Sequence, residues 1–92
     1  MLFGHHLVAG LIAHRQSTVE PMLELLRALP ELKEKSRGTF YRRSKAFLHF
    51  HEDPSGMYAD VRLVDDFERF RVTTRTEQDS CLRRVRKALG SI

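Results

Sequence analysis

The sequence predicts an α+β protein: a two-layer sandwich in which helices before and after a four-stranded antiparallel meander pack on one face of the sheet. Two helical patterns lie towards the ends of the chain, with apolar residues three and four positions apart. Between them the period changes to two, in short runs rich in aromatic and β-branched residues. The 92 residues have room for one hydrophobic core, so we expect a single domain over 1–92.

The amino-terminal segment, residues 1–16, is amphipathic. On a helical wheel it presents one broad apolar stripe, formed by Phe3, Leu7, Val8, Leu11 and Ile12. Histidines and glycines interrupt the segment, and it is shorter than the roughly 20 apolar residues that span a bilayer, so we expect neither secretion nor membrane insertion. The stripe needs a cover, which is either the core or a second copy of the chain. A homodimer contact is therefore predicted here.

The first well-defined helix begins at Ser17 or Thr18, either of which can cap it, with Glu20 placed as a capping-box partner. Pro30 ends it. Its apolar positions are Met22, Leu25, Leu26 and Leu29. The polar stretch over residues 31–38 predicts a connection that brings the chain to the edge of the sheet.

Four runs predict the strands, at residues 39–43, 45–51, 57–64 and 67–72, with turn residues between them. After the last run, either Thr74 with Glu77 or Thr76 with Asp79 can form a capping box. A closing helix follows and ends at Gly90. Its apolar stripe is Cys81, Leu82, Val85, Ala88 and Leu89.

Strand alternation assigns the residues to two faces of the sheet. The apolar face is predicted to hold Ala46, Leu48, Phe50, Met57, Ala59, Val61, Leu63, Phe70 and Val72. The opposite, open face is polar, basic and aromatic, and it begins with Lys45. Its predicted ligand-binding residues are Phe47, His49, His51, Tyr58, Asp60, Arg62, Arg69 and Arg71. The grouping is extended by Tyr41, Arg42 and Arg43.

Two interpretations of this open face stand side by side. Guanidinium groups pair with phosphates or carboxylates and exposed rings stack on planar ligands, which predicts a binding face. Long arginine side chains also cover aromatic rings on solvated sheet surfaces, which predicts no ligand at all.

A His-x-His pair within one strand places both imidazoles on one face, where they can share a metal ion. A hairpin register that keeps the polar faces together sets His49 opposite Asp60 and His51 opposite Tyr58. The alternative function is therefore metal binding, or a metal-dependent enzyme, built on His49, His51 and Asp60. Further candidates to complete such a metal site, if the fold brings them close, are Glu52, Asp53, His5 and His6. In the competing interpretation His49 pairs with Asp60 across the strands, and His51 and Glu52 face water.

Charge indicates the kind of partner. The chain carries a formal charge of +4, and all of the excess lies after residue 36, where twelve Lys/Arg face eight Asp/Glu. Such a bias favours nucleic acid or another anionic ligand. The single cysteine, Cys81, forms no intramolecular disulfide and fits the cytoplasm. The sequence has no phosphate-binding glycine loop, nucleophile elbow or spaced Cys/His framework, so no catalytic residue and no cofactor is predicted.

The stretch "LRALPELKEKSRGTFYRRSKAFLHF" resembles the opening of the YjbR/MmcQ-like family of small α+β proteins. The similarity covers residues 22–63 and rests on Leu29, Pro30, Glu31, Gly38, Thr39, Lys45 and Phe47. It implies a frataxin-like or double-wing fold and a DNA-binding role. The chain departs from the family pattern in its shorter length, in its lack of tryptophan and in the segment "HFHEDPSG". The overall prediction is a small cytoplasmic, non-catalytic binding module for DNA or another anionic ligand.

Overall fold

The computed structural model of the chain describes residues 18–90. Helix α1 covers residues 18–27. Five strands and a second helix follow: β1 (Lys33–Ser36), β2 (Thr39–Arg42), β3 (Lys45–Asp53), β4 (Gly56–Arg62), β5 (Phe67–Arg71) and α2 (Arg75–Leu89). The strands pair antiparallel in sequential order. The predicted α+β class is confirmed, whereas the predicted number of four strands is wrong.

The additional strand, β1, lies in the stretch that was predicted to be a connection. It has no apolar alternation, and its pairing comes from a hairpin through Gly38, which adopts a left-handed φ of 80°. Glu34 pairs with Phe40 of β2. The same glutamate accepts a hydrogen bond from Arg27 of α1, with Nε 2.6 Å from Oε1. Edge strands of sheets are commonly short and charged. The polar composition of β1 therefore led to the wrong prediction of a connection.

The hydrophobic core draws on both helices and the sheet. Its buried residues are Val19, Met22, Leu23, Leu26, Leu32, Phe40, Phe47, Leu48, Met57, Ala59, Val61, Val72, Cys81, Leu82, Val85 and Leu89. Leu29 is partly buried against this core. The prediction that Leu25 faces the core is wrong, because it is 41% exposed and Leu23 is buried in its place. The phase of α1 therefore differs from the predicted stripe by part of a turn.

Phe47 lies in a β-bulge of β3. Phe40 pairs with Leu48 and the next residue, Tyr41, pairs with Ala46, so Phe47 has no partner on β2. An extra residue of this kind interrupts the two-residue alternation. Phe47 is 3% exposed and belongs to the core. The prediction that Phe47 lies on the open face is therefore wrong. The same bulge puts Ala46 on the side of Tyr41 and Lys45 on the opposite side, so the predictions of Ala46 on the apolar face and of Lys45 on the open face are wrong as well.

Helix α2 begins at one of the two predicted caps and ends at the predicted glycine. Thr74 is the N-cap and forms the capping box with Glu77, and Gly90 caps the other end with a φ of 76°. The buried side chain of Gln78 donates its Nε2 hydrogens to the carbonyl of Thr18 at 2.8 Å and to the carbonyl of Val72 at 3.0 Å. One buried amide therefore joins α1, the residue after β5 and α2.

Cys81 faces the core from α2. Burial raises the pKa of its thiol to about 12, so it stays protonated and is a poor nucleophile. Across residues 18–90, neither helix is long and apolar enough to cross a membrane. The predicted homodimer stripe in residues 1–16, together with His5 and His6, lies outside the described residues.

Candidate binding site

The polar face is the side of the sheet opposite Phe40, Leu48 and Ala59. The strand register places these residues on it: Thr39, Tyr41, His49, His51, Tyr58, Asp60, Arg62, Phe67, Arg69 and Arg71. The predicted pairs His49 with Asp60 and His51 with Tyr58 are confirmed. Apart from Phe47, the predicted ligand-binding residues therefore do share one face.

Asp60 is the centre of this face, and its side chain is only 13% exposed. Arg69 on β5 donates to both of its carboxylate oxygens, from Nε to Oδ1 at 2.7 Å and from Nη2 to Oδ2 at 2.9 Å. His49 brings Nε2 to 3.2 Å from Oδ2 on the other side. The hydrogen bonds from Arg69 lower the pKa of Asp60, so the carboxylate stays ionised and its charge is already matched.

Arg71 is likewise paired with a carboxylate, that of Glu77 in the first turn of α2. Its Nη1 lies 3.1 and 2.9 Å from the two carboxylate oxygens of Glu77, and its Nη2 donates to the carbonyl of Ser55 at 3.2 Å. Glu77 also accepts hydrogen bonds from the backbone amides of Thr73 and Thr74. The amide of Thr74 is the main cause of the lowered pKa of Glu77. Arg71 therefore fastens the sheet to the helix cap.

Arg62 is held by neutral groups instead. Its Nε donates to the carbonyl of Ala46 at 3.0 Å and its Nη1 to the carbonyl of Asp65 at 3.1 Å. The guanidinium carbon lies 4.5 Å from the centre of the Phe67 ring. Carbonyl oxygens fix a guanidinium without neutralising it, so Arg62 keeps its full positive charge while its plane is fixed.

Phe67 is a member of the polar face that was absent from the predicted site. It is 39% exposed, and the ring of His49 meets it edge-on at 5.4 Å between centroids. A usable signal was present in the sequence, because Phe67 alternates with Arg69 and Arg71 and must share their side of β5.

The remaining predicted residues lie near the β3–β4 turn. Tyr58 shares a 2.7 Å hydrogen bond with the hydroxyl of Ser55, and the guanidinium of Arg69 lies over its ring at 5.9 Å. The Ser55 hydroxyl in turn donates to Asp53 at 2.8 Å. His51 is exposed at this end of the face. These contacts order the turn around Tyr58.

A groove of about 360 Å³ opens at the other end of the sheet, between the β2–β3 turn and the loop after β4. We call it the basic groove. It is lined by Arg42, Arg43, Lys45, Ala46, Phe47, Arg62, Leu63, Val64 and Asp65. Within residues 18–90, no ion pair involves Arg42, Arg43 or Lys45. Their charges are therefore available to a ligand.

The β2–β3 turn that carries this charge has an unusual backbone. Arg43 and Ser44 both adopt positive φ angles, 51° and 73°, in a two-residue hairpin loop. Such loops favour Asn and Gly at both positions, since other residues pay a steric penalty there. The turn thus projects the Arg43 side chain from a position where arginine is disfavoured.

The metal-binding alternative requires three ligands to converge. The part of the chain that the structure describes contains no group of three or more His, Cys, Asp or Glu that could hold a metal ion. His51 faces Tyr58 across the strands, and Asp60 is occupied by Arg69. Metal binding by His49, His51 and Asp60 stays a prediction.

The fold and the site together define a small α+β protein with a five-stranded antiparallel meander and a basic groove at one end of the sheet. Comparisons with protein-family models, with curated proteins and with solved structures give no match for this chain. The resemblance to the YjbR/MmcQ-like family therefore stays a prediction.

Proposed function

We propose that this protein is a non-catalytic module of the cytoplasm that binds a nucleic acid through the basic groove and the adjoining polar face. The observation that carries the proposal is a set of three cations around one groove that form no ion pair with any residue of the described range 18–90: Arg42, Arg43 and Lys45. Phosphate groups are the ligands that such a set attracts, because each unpaired cation can replace a condensed counterion on the backbone.

The polar face is accessible in this proposal because both helices lie on the other side of the sheet. Two contacts support that arrangement. Arg27 of α1 bonds Glu34, which shares its side of the sheet with Phe40. Arg84 of α2 lies 3.8 Å from Glu68 on β5, and Glu68 pairs with the buried Val61. Both contacts support a two-layer sandwich with one free face.

The conformation of the β2–β3 turn is a second support. A residue in a disfavoured backbone region costs of order 1 kcal/mol, and such residues concentrate at functional sites. Arg43 occupies a position that Asn or Gly would fill at lower cost. A phosphate-binding role for its side chain accounts for an arginine at this place.

The test is a titration of the protein with labelled DNA at several salt concentrations. Affinity should fall linearly on a double-logarithmic plot as salt rises, since phosphate contacts release counterions. The variant Arg42→Gln/Lys45→Gln should reduce the steepness of this plot of log affinity against log salt by about two. We leave Arg43 unchanged here, so that the backbone of the turn is not altered.

The matched control is Arg83→Gln/Arg86→Gln, which removes the same charge from α2, on residues that do not line the basic groove. It should leave the slope as in the parent protein. Equal losses in the two variants would show that binding follows net charge alone, and the proposed site would be wrong. Binding that does not respond to salt would exclude phosphate contacts altogether.

A further inference from the structure

We infer that the ligand is single-stranded nucleic acid, with an unpaired base stacked on the guanidinium of Arg62 while neighbouring phosphates contact Arg42 and Lys45. This inference rests on the proposed function and specifies its ligand. Its basis is the combination, inside one groove, of a planar cation held by hydrogen bonds with cations that form no ion pair among the described residues.

The guanidinium of Arg62 is organised for stacking before any ligand arrives. Two backbone carbonyls, those of Ala46 and Asp65, fix its plane, and Phe67 packs within 4.5 Å of it. Rigid planar groups stack on bases at low entropic cost, and arginine planes serve this purpose beside aromatic rings. Arg69 and Arg71 also have fixed planes, but each is paired with a carboxylate. Arg62 alone among these three combines a fixed plane with an unmatched charge.

The dimensions and lining of the groove fit a nucleotide. Its volume of about 360 Å³ lies at the lower end of the range of small-molecule sites. One part of the lining is apolar, from Ala46, Leu63 and Val64, and Val64 is 83% exposed. An exposed apolar residue beside arginines suits a base, whose faces are apolar and whose backbone is anionic.

A duplex does not offer this groove the same ligand. Its bases stay stacked on each other, so only its phosphates would reach Arg42 and Lys45. A single strand presents both the phosphate and the free face of a base. The structure therefore predicts a preference for single strands over duplex of equal length.

The experiment measures fluorescence anisotropy of a labelled oligothymidine, with competition by the unlabelled strand, a duplex of equal length, thymidine monophosphate and polyphosphate. The unlabelled single strand should compete about tenfold better than the duplex or polyphosphate, the contribution expected from one stacked base. A monophosphate that competed as well as the strand would assign the groove to free nucleotides and overturn the single-strand inference.

Two variants separate stacking from charge. Arg62→Lys keeps the charge but loses the planar group, and Phe67→Leu keeps an apolar side chain but removes the ring behind it. Each should weaken single-strand binding about tenfold and leave polyphosphate binding unchanged. Arg75→Lys, on the exposed side of α2, is the control and should change neither. Thermal melting of all three variants shows that each is folded.

The outcomes distinguish this inference from the proposed function. Equal affinity for single strand, duplex and polyphosphate, with loss in Arg42→Gln/Lys45→Gln, would overturn the stacking inference and leave the anion site standing. Absence of binding to every one of these ligands would overturn both. Normal single-strand binding by folded Arg62→Lys and Phe67→Leu would overturn the stacking inference alone.

Discussion

The two groups of cations on this sheet differ in what their charges face. Arg69 and Arg71 each meet a carboxylate through two close contacts, with Asp60 and with Glu77. Arg42 and Lys45, at the opposite end of the sheet, form no ion pair within the described part of the chain. A matched guanidinium contributes little to the field that a ligand experiences, whereas an unmatched one contributes its full charge. The comparison teaches that pairing, more than the number of arginines, locates a binding site.

The largest effect on stability is expected from Phe47, which is buried in the core and lines the floor of the basic groove. Phe47→Ala should lower the free energy of unfolding by about 3–5 kcal/mol, because it leaves a cavity in the core. Phe67→Ala, on the polar face, should cost about 1 kcal/mol or less, mainly through its contact with Arg62. Urea denaturation measures both. Similar costs for the two phenylalanines would contradict the bulge and return Phe47 to the open face.

A smaller effect on the free energy of unfolding is expected at the start of α2, where Arg71 of the sheet contacts Glu77. Thr74→Ala removes the N-cap and should cost about 1 kcal/mol. The matched control is Thr76→Ala, two residues later on the exposed side, which should stay within about 0.5 kcal/mol. Thermal or urea unfolding distinguishes them. Equal costs would show that the network of Arg71 and Glu77 does not depend on this cap.

Sequence reasoning succeeded where one strong local signal fixed an element. Gly90 predicted the end of α2, and Thr74 with Glu77 was one of two predicted starts. Alternation around the β3–β4 turn predicted the register of His49 with Asp60. It failed where tertiary context overrides the local pattern. The strand β1 is polar because it is an edge, and its pairing depends on α1 and a glycine turn more than on its own residues.

The candidate site was predicted in part for the same reason. Alternation brings the polar residues to one face, but it cannot detect the extra residue of a bulge, and one bulge moves Phe47 to the core. Nor does a sequence show which arginine has a carboxylate within reach. Arg69 is matched whereas Arg42 forms no ion pair among the described residues, and this difference depends on strand register and on the position of the turn in the folded protein.

Acid should lower the stabilisation that comes from the ion pairs of Arg69 with Asp60 and of Arg71 with Glu77. It should not affect the cations of the basic groove. Asp60 and Glu77 have ordinary pKa values of 3.8 and 4.5, and both are lowered in the folded protein, Asp60 by Arg69 and Glu77 by the amide of Thr74. A carboxyl with a lowered folded pKa stabilises the protein above its unfolded pKa, and this stabilisation is lost as pH falls through the folded value. The free energy of unfolding should therefore decline below about pH 4.5.

Two variants sharpen that measurement. In Arg69→Gln the decline in acid should be shallower, because the main cause of the shift at Asp60 is removed. In Arg42→Gln/Lys45→Gln the decline should run parallel to that of the parent, because no paired carboxyl is touched. Urea unfolding at a series of pH values gives the curves. If the free energy of unfolding of Arg42→Gln/Lys45→Gln declined less in acid than that of the parent, Arg42 or Lys45 would be paired with a carboxylate. The distinction between matched and unmatched cations would then be wrong.

The smallest expected effect has the opposite sign and lies in the groove itself. Arg43 and Ser44 occupy left-handed positions, so Arg43→Asn and Ser44→Gly should each raise the free energy of unfolding by about 0.5 kcal/mol. Only Arg43→Asn removes a charge from the groove, so it alone should weaken binding to DNA. A gain in stability with loss of binding at Arg43, beside a gain without loss at Ser44, would show that the turn gives up stability for its ligand. If Arg43→Asn binds DNA as the parent does, the strained arginine has no part in the site.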